Sequence, residues 1–205
     1  RQAGTLKENC TAILRGEIRD TAAGEQGVLR PWYLLDDCRG EPAVLETLEH
    51  LVQDVVPRLG LDPVRDVQVL TPTNKGPLGT RALNILLQRL VQAHCYGVQV
   101  PPVPDHRRPD LFIGDKVMQV RNNYGLELMN GAIGMVRDIT LEEDETTQRP
   151  VEVLVLDFDG RTVTIPRQSD AADDLMLAYA STVHKCQGSE FPVIIAVVHR
   201  AQAFM

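Results

Sequence analysis

Polar groups that suit phosphate oxygens cluster in the segment 177–193, LAYASTVHKCQGSEFPV. Thr182 offers a hydroxyl and His184 offers a ring donor two residues later, near a predicted helix start. Gln187 and Gly188 add an amide side chain and a backbone N–H that no side chain obstructs. The segment therefore predicts a phosphate-contacting site. The alternative is that Thr182 only caps a helix and that local hydrogen bonds satisfy His184.

A second polar loop, residues 71–79, follows a predicted strand at 67–70. Its proline and glycine content is typical of a loop. Thr73, Asn74 and Lys75 lie in it, and its backbone N–H groups and the Lys75 ammonium can hold the phosphates of a nucleic-acid strand. A plain connection between a strand and a helix is the alternative.

Three other segments resemble nucleotide-binding or metal-binding motifs. Residues 75–80, KGPLGT, lack the order in which Gly-Lys-Ser/Thr closes a phosphate-binding loop. Residues 154–159, LVLDFD, resemble a Walker B strand, but Asp159-Gly160 followed by RTVT is typical of a hairpin. We interpret the acidic run 142–145 as a solvated hairpin tip and not as a cation site.

Composition excludes several classes of protein. The chain has 205 residues, a formal net charge of −7, 43% hydrophobic and 24% charged residues, which are ordinary globular values. No apolar run approaches the roughly 18 residues of a membrane span, so we expect no membrane partner. The four cysteines form no Cys-x-x-Cys pair, which predicts no metal site. No leader is evident, so a reduced, cytoplasmic location is expected.

The elements that position the two loops alternate between helix and strand over residues 1–95, which predicts an α/β layer with a parallel sheet. Helices are expected over residues 3–14 and 44–56, and a third helix is expected to begin at Thr80, which would cap it. Strands are expected at residues 32–35 and 67–70.

The pattern changes after a proline-rich joint at 101–104. Between residues 110 and 168, four or five short alternating runs are separated by turn signals such as Asn130-Gly131. These runs predict a small, SH3-like β-barrel. Helix and strand patterns resume at Ala171, so the predicted fold is an α/β domain interrupted by an inserted barrel.

Taken in order, these stretches resemble superfamily-1 DNA helicases of the RecD-like branch, the exodeoxyribonuclease V alpha-subunit family. Segment 177–193 resembles motif V, and the loop 70–80 with Leu83-Asn84 and Leu87-Gln88 resembles the motif that opens the second half of the second motor domain. The inserted barrel of this family is matched by GDKVMQ at 114–119, Asn130-Gly131 and Gly134. Arg1-Gln2 looks like the tail of the family's Phe-Arg-Gln motif.

The resemblance implies three parts. Residues 1–109 would begin a RecA-like motor domain 2, residues 110–168 would be the SH3-like barrel, and residues 169–205 would return to the motor domain through the motif V helix and strand, before motif VI. A further motor domain with Walker A and Walker B would be missing, so this piece alone is expected not to hydrolyse ATP. The parent would be an ATP-dependent 5′→3′ DNA helicase of recombination and repair.

The resemblance also implies roles for individual residues. Arg1 and Gln187 would be catalytic contacts to the γ-phosphate, although a disordered terminal Arg1 is an equal alternative. Gly188 and Glu190 would bind the nucleotide, Glu190 through a ribose hydroxyl. The residues implied to grip single-stranded DNA are Thr73, Asn74, Lys75, Thr182 and His184.

The implied cofactor is ATP with Mg²⁺, the metal being held mainly by the missing domain. The implied partners are single-stranded DNA, that motor domain and subunits of a nuclease complex. Thr73-Asn74 replaces the family's usual Met and basic residue, and Cys186 replaces Ser or Ala. On the barrel, Lys116, Arg121 and Arg137 are either DNA-facing residues or ordinary exposed strand residues.

Two other classes of function compete with the helicase hypothesis. One is a non-enzymatic interaction module whose barrel binds a peptide, and the other is a stand-alone single-strand binder. Both need aromatic side chains, whereas only 4% of the residues are aromatic and Tyr124 is one of few in the barrel segment. The acidic net charge also weighs against a general nucleic-acid coat.

Overall fold

The computed structural model describes residues 2–17, 32–104, 107–144 and 148–202. These residues fall into two units that meet in sequence at Gly40. In the first unit, α1 spans Gln2–Leu14, which confirms the helix predicted there. Residues 32–39 form neither helix nor strand, so the strand predicted at 32–35 is wrong. A strand requires a partner, and no described strand pairs with this segment.

The second unit opens with the helical segment predicted at 44–56. It comprises α2 (Glu41–His50), a π-helical turn (Leu51–Val55) and α3 (Val56–Arg58). Leu48, Val52 and Val56 recur every four residues and are all buried. Spacing of this kind aligns apolar side chains on one helix face, and that face joins the core of the unit.

Further along this unit, the described helices and strands follow in chain order. The strands are β1 (Val67–Thr71), β2 (Lys116–Gln119), β3 (Ile133–Glu143), β4 (Pro150–Phe158), β5 (Arg161–Pro166), β6 (Leu175–Leu177), β7 (Ala180–Thr182) and β8 (Val193–Ala196). The helices are α4 (Thr80–Val91) with a π-helical extension (Gln92–Tyr96), α5 (Asp170–Asp173) and a 3₁₀ turn (Arg200–Gln202).

A parallel sheet of three strands lies beside α4, with the strand order β7-β1-β8. Val67, Val69, Leu83 and Leu87 are buried in one core shared by the sheet and the helices. Both pairings of β1 are parallel, which confirms the predicted α/β layer with a parallel sheet. The helix predicted from Thr80 is also confirmed, although Gly79 occupies the N-cap position.

The other sheet has five strands and is antiparallel, in the order β5-β4-β3-β2-β6. Strands β4 and β5 are joined by a two-residue turn in which Asp159 has φ 53° and Gly160 has φ 84°. Two successive positive φ values are the mark of a hairpin turn that matches the twist of its strands. The hairpin predicted in place of a Walker B strand is therefore confirmed.

The closed barrel predicted at 110–168 does not form from the strands that the structure describes. Strands β5 and β6 lie at opposite edges and do not pair with each other, so the sheet is open. Its edge strand β6, at Leu175–Leu177, lies beyond residue 168 and pairs with β2. Val117, Leu156 and Ile165 form the centre of a separate apolar cluster under this sheet.

The two sheets meet at Lys116, which is only 2% exposed. Its Nζ donates a hydrogen bond of 2.9 Å to the Val67 carbonyl of β1 and lies 4.6 Å from the centroid of the Phe191 ring. Lys116 therefore does not face a DNA channel, and that interpretation is wrong. Arg121 and Arg137 are exposed and form ion pairs with Asp174 and Asp157. No helix among the described residues is long and apolar enough to cross a membrane.

Candidate nucleic-acid and nucleotide site

The two predicted loops leave the same edge of the parallel sheet. Thr71 is the last residue of β1, Thr182 is the last residue of β7, and the two are register partners. The loop 72–79, called here the first loop, and the segment 183–190, called the second loop, therefore begin side by side. Carboxyl ends of parallel strands are where ligands bind in open α/β sheets. The structure thus brings together two segments that are more than 100 residues apart in sequence.

Hydrogen bonds within the first loop decide which of its side chains face solvent. Thr73 is buried, and its hydroxyl donates to the Lys75 carbonyl at 3.2 Å while its own carbonyl accepts from the Thr80 N–H at 3.0 Å. Asn74 is exposed and accepts from the Thr80 hydroxyl through Oδ1 at 3.0 Å. Lys75 is exposed. Asn74 and Lys75 are therefore presented to solvent, whereas the Thr73 hydroxyl holds the loop.

The first loop closes tightly because Gly79 has no side chain. A Cβ added there would lie 2.4 Å from the Lys75 carbonyl oxygen. The φ of Gly79 is an ordinary −81°, so the restriction is one of space and not of backbone angle. This close approach brings the Lys75 peptide against the first turn of α4.

The second loop consists of turns over residues 183–188, where the sequence predicted a helix start. The Thr182 carbonyl accepts from the N–H groups of Lys185 and Cys186 at 3.1 and 3.3 Å. Gly188 then adopts φ 86°, a left-handed conformation that interrupts any right-handed helix. The side chains predicted to contact phosphate are consequently presented from a turn.

The second loop presents its polar side chains to solvent. Thr182 is half-buried at the end of β7, while the predicted contact residues that are exposed are His184, Gln187, Gly188 and Glu190. These groups supply a ring donor, an amide, a backbone N–H and a carboxylate. Arg1, the other predicted catalytic residue, lies outside the described residues.

A third segment reaches the same edge and was not predicted from the sequence. Gln202 follows β8, and its amide Nε2 donates to the Thr71 hydroxyl at 2.9 Å and to the Leu78 carbonyl at 3.3 Å. The Thr71 hydroxyl in turn donates to the Leu78 carbonyl at 2.7 Å. A single glutamine after a strand carries no sequence signal for this contact. The residues after β8 therefore brace the base of the first loop.

Buried polar residues behind the edge were also missed. Asn84 on α4 donates to the Ala180 carbonyl through Nδ2 and accepts from the Ala180 N–H through Oδ1, both at 2.8 Å. This amide pairs with the β7 backbone as a neighbouring strand would. A polar residue inside the apolar face of a predicted helix is the signal that could have located it.

Asp115 is completely buried and precedes β2. Its Oδ2 accepts from Gln88 Nε2 at 2.5 Å and from the Phe112 N–H at 2.8 Å, and its Oδ1 accepts from Gln92 Nε2 and the Tyr179 hydroxyl, both at 2.8 Å. Burial raises the pKa of Asp115, while these four donors oppose the rise. Burial and the neighbouring Asp115 charge likewise raise the pKa of Tyr179.

The donor set at the sheet edge fits a polyphosphate nucleotide. A ring donor, an amide and a free N–H suit phosphate oxygens, and the Glu190 carboxylate suits a ribose hydroxyl. A triphosphate also needs a cation, and across residues 2–17, 32–104, 107–144 and 148–202 no three His, Cys, Asp or Glu are grouped to hold a metal ion. The described residues therefore fit the nucleotide but do not supply a metal centre.

Comparison with known proteins identifies helicase relatives of the chain. No family model matches it. The ATP-dependent RecD2 DNA helicase of Deinococcus radiodurans is 39% identical over 135 residues, which are 66% of this chain and 16% of that protein. The chain thus spans about one sixth of the length of this curated relative.

Similar solved structures are Pif1 helicases. Bacteroides Pif1 bound to single-stranded DNA is 19% identical, covering 63% of this chain and 34% of that chain with a TM-score of 0.32. Bacteroides Pif1 with ADP-AlF3 and single-stranded DNA is 15% identical, covering 84% and 46% with a TM-score of 0.37. Since these TM-scores are low, the resemblance depends on the sequence match. That match shows that the chain is similar to the RecD-like superfamily-1 DNA helicases.

Proposed function

We propose that this chain is part of the second motor domain of an ATP-dependent 5′→3′ DNA helicase of recombination and repair. It grips single-stranded DNA and completes an ATP site together with another motor domain. The observation that carries the proposal is the register pair Thr71–Thr182, because it starts both polar loops at one sheet edge. In this proposal, residues 1–109 and 169–205 belong to a RecA-like domain, and residues 110–168 are an insertion in it.

The DNA contacts come from both loops. Lys75 and His184 are exposed and provide positive or donating groups for strand phosphates, and Asn74 and Thr182 flank them. Thr73 contributes in another way, since its hydroxyl is bonded inside the first loop and fixes the Lys75 peptide. Loss of Thr73 would therefore act by loosening the loop.

Among the described residues, the proposed nucleotide contacts come from the second loop. In this proposal, Gln187 and the Gly188 N–H hold γ-phosphate oxygens and Glu190 holds a ribose hydroxyl. Arg1 is a further γ-phosphate contact expected from the sequence. When bound, ATP with Mg²⁺ supplies the free energy of phosphoryl transfer. Mg²⁺ is held mainly by the other motor domain, which is a partner of this chain, and subunits of a nuclease complex are further partners.

A single short segment thereby serves both ligands. Thr182 and His184 lie at its DNA end and Gln187 to Glu190 at its nucleotide end, and the intervening turns are tied to the Thr182 carbonyl. A displacement of the γ-phosphate contacts moves the DNA contacts because only two residues separate His184 from Gln187. The nucleotide bound at one end of the segment can therefore change how tightly the other end holds the DNA strand.

The test uses the full-length helicase that contains this chain. His184→Ala and Glu190→Ala should each lower DNA-stimulated ATPase activity about tenfold, a loss of about 1.4 kcal/mol that corresponds to one hydrogen bond to a ligand. His94→Ala and Glu142→Ala are matched controls, because both residues are exposed and lie on other elements. Wild-type ATPase activity in both test variants would refute the site assignment.

A further inference from the structure

A row of buried polar side chains runs along α4 at intervals of four residues. Its members, which we call the polar row, are Thr80, Asn84, Gln88 and Gln92. Residues four apart on a helix lie one above another, so the row forms a continuous stripe. Gln88 and Gln92 have no exposed surface at all. Such a stripe at core positions needs an explanation, because buried amides cost free energy unless they are hydrogen-bonded.

The four members of the polar row bond three different parts of the molecule. Thr80 bonds Asn74 of the first loop, and Asn84 bonds the backbone of Ala180, two residues before Thr182. Gln88 and Gln92 bond Asp115, the residue before β2 of the antiparallel sheet. The row thus ties both loops of the candidate site and the antiparallel sheet to a single helix.

Asp115 is the fixed end of this row. Its backbone carbonyl accepts from the Val136 N–H of β3 at 2.9 Å, so the carboxylate moves with the antiparallel sheet. The Tyr179 hydroxyl bonds the same carboxylate, and Tyr179 immediately precedes β7. The antiparallel sheet therefore has two hydrogen-bonded routes to the site, one through α4 and one through Tyr179.

We infer that Asp115 and the polar row are positioning residues that transmit movement of the antiparallel sheet to the two loops. This inference rests on the proposed function. Hydrogen bonds are directional, so a displaced carboxylate carries its donors with it, whereas apolar contacts in the same place would slide. In this inference, any shift of the antiparallel sheet displaces the loops through the row, and ATP turnover is coupled to strand movement in this way.

The variants remove single contacts without removing volume. Tyr179→Phe deletes one hydroxyl, and Gln92→Met replaces an amide by an apolar chain of similar length. Gln119→Met is the matched control, because Gln119 is as buried as Gln92 and its amide has no hydrogen-bond partner among the described residues. All three variants are made in the full-length helicase.

The measured quantity is the number of base pairs unwound per ATP hydrolysed. Tyr179→Phe and Gln92→Met should lower this ratio about fivefold, the factor that corresponds to one buried hydrogen bond. The KM for ATP and the Kd for a dT20 oligonucleotide should stay within about twofold of wild type, since neither residue contacts a ligand. Gln119→Met should behave as wild type in all three measurements.

Hydrogen exchange supplies a readout that a merely structural role would not change. In the wild type, dT20 should alter amide exchange in β2 and β3, and the two test variants should lose this remote change while retaining the change at the loops. An unaltered unwinding ratio, or a loss of stability with all rates lowered in proportion, would overturn the inference. Absence of DNA-stimulated ATPase activity in the wild type would instead overturn the proposed function.

Discussion

The buried ammonium of Lys116 predicts a specific dependence of stability on pH. Burial lowers the pKa of Lys116 from 10.5 to about 8, against the smaller opposing effects of Cys186, Asp62 and Asp66. Between these two pH values the unfolded chain binds a proton that the folded chain has released. The free energy of unfolding therefore rises with pH through this window, and the gain is lost as pH falls back from 10.5 to about 8, below which the cost of burying the charge is constant.

The size of the effect follows from the two pKa values of Lys116. A shift from 10.5 to about 8 corresponds to about 3 kcal/mol at neutral pH, and about 2 kcal/mol of it should be recovered between about pH 7 and pH 9.5. Lys116→Met removes this term. The variant also loses the bond to Val67 and the contact with Phe191, which together contribute a few kcal/mol, so the two proteins should have similar stability at pH 7.

The assay is urea unfolding followed by far-ultraviolet circular dichroism at several pH values from about 7 to 9.5. The wild type should gain about 2 kcal/mol relative to Lys116→Met over this range. Raised pKa values of Cys95, Tyr96 and Tyr179 affect both proteins equally and cancel in the difference. Lys75→Met, at an exposed lysine, is the control and should keep the wild-type slope. Parallel pH profiles for the wild type and Lys116→Met would refute the reasoning.

Two further predictions concern the first loop. Gly79→Ala should lower the free energy of unfolding by about 1–3 kcal/mol in urea titrations, because the added Cβ meets the Lys75 carbonyl at 2.4 Å. Gly125→Ala, where the nearest atom would lie at an ordinary 3.6 Å, should be nearly neutral, and equal effects would contradict the steric argument. Lys75→Gln should weaken dT20 binding and reduce the slope of log Kd against log salt by about 0.7, with Lys7→Gln as control. An unchanged slope would remove Lys75 from the DNA contacts.

The shared edge of the two loops could be predicted from the sequence because each element leading to it carries a local signal. The apolar run of β1 and the spacing of Leu83, Leu87 and Val91 predicted a strand followed by a helix, and both are present. The ordered segment 177–193 predicted the second loop. Its backbone was predicted wrongly, because a helix start and a series of turns have similar polar sequences and only Gly188, in a left-handed conformation, separates them.

The alternation of apolar and polar residues gave a wrong prediction of exposure for β2, a strand that is covered on both faces. Lys116 was expected on an exposed face because it alternates with Val117, yet all four residues of β2 are buried. β2 pairs with β3 and β6, while Lys116 also reaches β1 of the parallel sheet. Period-two patterns report burial only when one face meets water. The prediction of a closed barrel was wrong for a related reason. Alternation of apolar and polar residues identifies strands, but it does not indicate whether the two edge strands pair with each other.

The adjacent charges of Asp115 and Lys116 show why one joint between the sheets can be both fixed and adjustable. Successive side chains along a strand point to opposite faces, so these two groups do not neutralise each other directly. Asp115 accepts four hydrogen bonds, which hold its carboxylate in one orientation. Among the described residues, the Lys116 ammonium donates one hydrogen bond, to the Val67 carbonyl, and it lies over the Phe191 ring, a contact that tolerates small shifts. Movement at the joint is therefore expected about Asp115 as the fixed point, with Lys116 following the segment that carries Phe191.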